Sequence, residues 1–220
     1  MPTDSFSLAD GAYRPDPESE ITLLLDGFFA HLAAGLALSP ATVELIKARH
    51  SALEAGDRYL VTDEPSRHNL RLTLALVAAH EVLRSSVPRD ELLAAIEVAF
   101  VEPFAEDVRA GTRAMLDAAP DPFTAMVEMS KNREEHAFGP TFTFDRTADD
   151  DRRYLLDVRK CFYHDVLASH GVAELTPAMC AFDASWIDAI DEERDGFRFD
   201  RPTTIGFGGD HCPFHFRRTR

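Results

Sequence analysis

Apolar residues recur every three or four positions through the first two thirds of the chain and every second position through much of the last third. Leu23, Leu24, Phe28, Leu32 and Leu36 fall roughly at three- and four-residue spacings, the period of a helix. Ser39-Pro40 restarts a helix with Val43, Ile46 and Leu53 inward, and Gly56 ends it. Asp57 to Ser66 reads as a loop. A strong helix over Arg67–Ser85 follows, with Leu70, Leu74, Val77 and Val82 inward and His68 and His80 at its surface or rim. Pro88 opens another helix, with Leu92, Leu93, Ile96 and Phe100 on one face and Pro103 as a kink or break. One more helix spans Pro122–His136, where Glu134-Glu135-His136 reads as a solvated end.

The period then changes. Thr141 to Asp145 alternates as a half-buried strand, Thr147 to Arg152 is a charged turn, and Tyr154, Leu156 and Val158 alternate again. Two helices follow: Phe162–Ser169, closed by Gly171, and Pro177–Ile190, capped by Thr176. Phe197–Arg201 and Phe214–Arg217 are two further strands. The order strand, strand, helix, helix, strand, strand predicts an α+β fold, with an antiparallel sheet of about four strands covered on one face by helices. The organisation expected is a flexible arm over 1–17, a helical region over 18–138 and a sheet region over 139–220, the last two packed as one compact unit.

Charge narrows the function. A net charge of -15 at pH 7 repels polyanions and anionic membranes, and no basic stripe with interleaved aromatics offsets it. Nucleic acid and membrane partners are therefore not expected. The apolar stretch Ile21–Leu38 is interrupted by Asp26 and His31, so it reads as an amphipathic helix rather than a membrane span. The first residues carry no secretory pattern, and three widely spaced cysteines suggest no disulfide framework. The expected location is the reducing cytoplasm and the expected partner a small molecule. A homo-oligomer is compatible with this reading.

The segment Gly206 to Phe216 holds the densest chemistry. Gly208 and Gly209 bring backbone amides within reach of a ligand, and Cys212 ends the glycine loop where the last strand begins. A cysteine needs an imidazole, a cation or a metal nearby to ionise at neutral pH. Asp210, His211 and His215 are the local candidates. The same segment also reads as a glycine turn with Cys212 as a small buried apolar residue. Cys161 ends the second strand; Cys180 and Asp183 share a helical face. If the sheet brings the three cysteines together, Cys161, Cys180 and Cys212 make a zinc site in one reading. In the other, one cysteine is a nucleophile and no cofactor is needed. From Asp200 to Arg220 there are four arginines against two aspartates, Arg201 among them, which suits a carboxylate-bearing ligand.

Cys161, Gly171, Leu175, Cys180 and Asp183 form a block that resembles part of the L-2-amino-thiazoline-4-carboxylic acid hydrolase family. Arg201, the glycine loop and Asp210-His211-Cys212-Pro213-Phe214-His215-Phe216 resemble its terminal block. The likeness covers about residues 68–217. It implies hydrolytic opening of a cyclic isothiourea by attack on the carbon between sulfur and nitrogen. Cys212, His211 or Asp210, and Arg201 are the residues that match the nucleophile, the acid or base and the carboxylate-binding cation such a reaction needs. The terminal block is also similar to that of vinyl-reductase-type sensor domains, which bind ligands without turnover, some with a cysteine-held metal. One residue between Asp210 and Cys212 favours the hydrolase pattern.

Overall fold

The computed structural model describes residues 17–220. The arm expected over 1–17 lies outside the described residues, save Pro17, which opens the first helix. Two compact units emerge. One comprises residues 17–104 and 162–182; the other comprises 105–161 and 183–220. The chain passes between them within one long helix, after Phe104.

The first unit is helical: α1 (Pro17–Gly35), α2 (Pro40–Asp57), α3 (Glu64–Leu83), the first half of α4 (Arg89–Ala118), α6 (Phe162–Ser169) and α7 (Thr176–Ala181). Local chemistry fixes the helix starts. Ser39 Oγ accepts the amide of Thr42, and Asp63 and Ser66 form a reciprocal capping box. That box starts α3 at Glu64, before the expected Arg67, because the side chains of Asp63 and Ser66 satisfy the first orphan amides. Residues 74–79 of α3 are fully buried, so α3 is the unit's central helix. His68 and His80, expected at the surface or rim, are 3% and 8% exposed. Pro103 does not break α4, which runs on to Ala118. Gly27 explains the tight packing there: a Cβ at that position would stand 2.4 Å from the Phe104 ring. The single helix expected over Pro177–Ile190 is divided into α7 and α8 (Ala184–Ile187). Thr176 does not cap it; its hydroxyl donates to Ala173 O at 2.8 Å inside a preceding 3-10 turn.

The second unit carries the sheet. β1 (Thr143–Asp149), β2 (Arg153–Lys160), β3 (Phe197–Asp200) and β4 (Cys212–Arg218) are antiparallel in the order β1-β2-β4-β3. β1 begins two residues later than expected because Gly139–Thr141 closes a 3-10 turn. The β1–β2 turn shrinks to residues 150–152, where Asp150 Oδ1 accepts the amides of Arg152 and Arg153 at 3.0 and 2.8 Å. Tyr154, Leu156, Phe197 and Phe216 pack with Met115 and Leu116 of α4 and with Phe123, Met126 and Val127 of α5 (Pro122–Arg133). This apolar face anchors the sheet. α8 adds Trp186 against Phe199 and Phe214, and α9 (Glu192–Asp195) precedes β3. Glu134, expected in solvent, is drawn in beneath the sheet by Tyr154 and Arg146. Among the described residues no helix is long and apolar enough to cross a membrane.

Candidate active site

β4 alternates, and the alternation sorts the predicted residues into two sets. Cys212 is opposite Val158, Phe214 opposite Leu156 and Phe216 opposite Tyr154, so these β4 side chains share the apolar, helix-covered face. His215, opposite Leu155, and Arg217, opposite Arg153, share the polar face.

On the apolar face, Cys212 is 6% exposed and its sulfur accepts the amide of Ile205 at 3.1 Å. Ile205 starts the 3-10 turn Ile205–Phe207, which Gly208 ends at φ 84°. Only a residue without a Cβ adopts that backbone at no steric cost. The glycine amides expected to face a ligand are consumed within the turn: Gly208 N donates to Ile205 O at 3.1 Å and Gly209 N to Thr204 O at 2.9 Å. The turn is too tight to spare them. A Cβ on Gly209 would stand 2.6 Å from Thr203 Oγ1. What the turn offers the sulfur instead is the amide of Ile205.

Arg201 lies on the same side of the sheet. Its Cζ stands 5.3 Å from the Phe214 ring centroid, and its Nη1 donates to Asp183 Oδ2 at 2.6 Å. The indole of Trp186 donates to the other oxygen of Asp183 at 2.9 Å and lies along Phe214. Asp183 is thus the anchor of a guanidinium held against an aromatic ring two residues from Cys212.

On the polar face, the buried carboxylate of Asp157 accepts His215 Nε2 at 2.9 Å and Arg159 Nη2 at 2.8 Å. His211 lies near it as well, Nε2 3.7 Å from Asp157 Oδ1, while its Nδ1 pairs with Asp210 at 2.5 Å. The hydrogen bond and charge of His211 hold the Asp210 carboxyl below its ordinary value. His211 and His215 therefore serve Asp157, and strand parity places His215 on the opposite face from the thiol. Asp157 escaped the sequence reading; its signal was an aspartate in mid-strand, where that residue is depleted.

The other two cysteines are half-buried and outside any disulfide. Cys161 follows β2 immediately, three residues beyond the partner of Cys212. Cys180 lies in α7 and belongs to the helical unit, whereas Asp183 belongs to the sheet unit. Their expected common helical face is interrupted where α7 ends at Ala181. Among the described residues, no group of three His, Cys, Asp or Glu side chains is arranged to hold a metal ion. In the helical unit, His164 Nδ1 lies 3.0 Å from Thr176 Oγ1, His170 Nε2 lies 2.7 Å from Asp57, and Tyr163 donates its hydroxyl to buried Asn69 at 2.9 Å.

The family model described as L-2-amino-thiazoline-4-carboxylic acid hydrolase matches residues 68–216, more than half of the chain. No curated protein and no solved structure matches it.

Proposed function

This chain belongs to the L-2-amino-thiazoline-4-carboxylic acid hydrolase family, and from that premise we propose that it hydrolyses a small carboxylate-bearing thiazoline, cyclic amidine or related C–N/C–S substrate with Cys212 as nucleophile. The observation that carries the assignment is the Ile205 amide aimed at the Cys212 sulfur at 3.1 Å. An N–H donated to sulfur favours its ionised form, which is the nucleophile. Arg201, fixed by Asp183 and Phe214 on the same side of the sheet, is assigned the substrate carboxylate.

The step balances as follows. The sulfur of Cys212 bonds to the ring carbon between sulfur and nitrogen, and the C=N electron pair moves to nitrogen, which takes a proton. Collapse breaks one ring bond at that carbon, and the departing heteroatom leaves with a proton. Water then attacks the enzyme-bound carbon and releases the thiol.

A second reading has support of its own. Asp157 accepts a hydrogen bond from His215 Nε2, which leaves Nδ1 as the basic nitrogen of the neutral ring. In that reading His215 activates water and Cys212 is structural.

The test is incubation with a panel of thiazoline and cyclic amidine carboxylates, followed by mass spectrometry of small molecules and protein. Ring-opened product in multiple turnovers supports the hydrolase. Stoichiometric ligand retention without product, or a bound metal released when the cysteines are replaced, supports a binding module instead.

A further inference from the structure

Three arginines stand in one row across three neighbouring strands. Arg153 of β2 is directly opposite Arg217 of β4, and Arg217 is directly opposite Arg198 of β3. Directly opposed residues share a face, so all three guanidinium groups emerge on the polar side of the sheet, away from Cys212. Like charges in such a row oppose sheet pairing, and this chain has a net charge of -15, so basic residues are its scarcer charge.

The row is under-neutralised. Arg153 uses its Nε and Nη2 on Asp150, at 3.1 and 2.7 Å. Arg198 and Arg217 share one carboxylate oxygen, Asp200 Oδ2, each approaching it most closely through Nε, at 3.1 and 3.5 Å. Among the described residues, the terminal nitrogens of Arg198 and Arg217 have no hydrogen-bond partner, nor does the exposed guanidinium of Arg152. The side chains remain reachable, at 54% exposure for Arg153, 35% for Arg217 and 51% for Arg198. An open groove of about 510 Å³ lies at this end of the sheet, lined by Asp150, Asp151, Arg152, Arg153, Arg217 and Arg218. Four of its six lining residues are cationic.

We propose that the arginine row and its groove bind a multivalent oxyanion, the phosphoryl or pyrophosphoryl group of a small ligand. Guanidinium forks match such oxygens in pairs, and two neighbouring arginines with free terminal nitrogens bracket a tetrahedral anion better than a single carboxylate. The β-ladder supplies the rigidity, because the register holds the arginine backbones in fixed positions before the ligand arrives.

The test is calorimetric titration of the full chain at low ionic strength with inorganic pyrophosphate, inorganic phosphate and glycerol phosphate. Pyrophosphate is expected to bind saturably at one site per chain. Arg217→Gln should weaken it by about tenfold or more, the loss of one charge-assisted hydrogen bond. Arg152→Gln, at an exposed position outside the ladder, should weaken it several-fold with the fold unchanged. Asp200→Asn should tighten it, because the competing carboxylate is neutralised; a merely structural row gives no such gain. Glycerol phosphate binding as well as phosphate points to a phosphate ester as the ligand, and its exclusion points to the free anion. No saturable binding by the unaltered chain, or an affinity in Arg217→Gln and Arg152→Gln equal to that of the unaltered chain, would overturn the proposal.

Discussion

Cys212 and His215 lie three residues apart on β4 and so present their side chains to opposite faces of the sheet: the sulfur meets the Ile205 amide, and the imidazole meets Asp157 at 2.9 Å. The pair therefore separates the two mechanistic readings. His215→Gln keeps a donor for Asp157 and should change stability by no more than about 1 kcal/mol. Under the thiol mechanism its turnover is expected within a few-fold of the unaltered chain, read as kcat on the best thiazoline substrate. A fall on the order of 10²–10⁴-fold, the usual worth of a general base, would transfer the chemistry to the His215–Asp157 pair.

The bond between Arg113 and Asp195 is a second test of how the sheet unit is held. Both aspartate oxygens are engaged, at 2.6 and 2.9 Å, and the carboxylate side chain is 1% exposed. Burial, the largest single influence, would raise the Asp195 pKa, but the hydrogen bonds from Arg113 and the Asp191 amide and the charges of Arg113 and Arg194 together outweigh it, leaving the carboxyl below its ordinary value. Arg113→Ala leaves a buried charge unpaired and should cost about 3 kcal/mol. Urea denaturation with an unchanged m-value checks this.

Stability should fall with acid in two stages. His80 is buried, its Nδ1 lacks a hydrogen-bond partner, and burial lowers its pKa from 6.5. Glu174 opposes that shift, and Arg84 and Arg89 reinforce it. A lowered histidine pKa means the unfolded chain binds the proton more readily. Its contribution is intact above about pH 6.5 and is lost as pH falls through the lowered folded value, at no more than about 1.4 kcal/mol per pH unit. Glu18, hydrogen-bonded by His68 and Arg71, and Asp121, hydrogen-bonded by Arg218, are each held at about 2. Their contributions are lost only as pH falls below the ordinary carboxylate range towards that value. Melting temperatures from pH 8 to pH 2 should show both stages, and His80→Leu should flatten the first alone.

Much of this architecture was written in the alternation of the chain. The change to period two after Phe138 marked the strands, and Phe214, Phe216 and Tyr154 marked their buried face. Boundaries were harder where side chains bind backbone: Asp63 and Ser66 lengthen α3, Asp150 shortens a turn, and Thr176 turns away from capping. The burial of His68 and His80 was hidden because a central helix is covered on all sides, which overrides an amphipathic reading. The glycine loop pointed to Cys212, but not to the Ile205 amide that meets it. Asp157 was out of reach for a related reason, since its partners His215 and Arg159 come from β4 and from the next same-face position on β2.

The turn beside Cys212 should tolerate little change. A methyl at position 209 would stand 2.6 Å from Thr203 Oγ1 and 3.0 Å from the carbonyl of Thr204, so the backbone must move. Because Gly209 N and Phe207 N both bond Thr204 O, that movement displaces the Ile205 amide as well. Gly209→Ala is expected to slow alkylation of Cys212 by iodoacetamide at neutral pH, measured by mass spectrometry, while far-UV circular dichroism stays native. An unchanged alkylation rate would separate the turn from the reactivity of the sulfur.

The most direct measurement is the steady-state rate of Cys212→Ser on a thiazoline carboxylate that the unaltered chain turns over, with a native melting transition as the control. Serine keeps an acceptor for the Ile205 amide but lacks an ionisable sulfur at neutral pH. The thiol mechanism predicts a loss on the order of 10³-fold or more in kcat, as removal of a nucleophile gives. A folded Cys212→Ser protein that retains the full rate would contradict it.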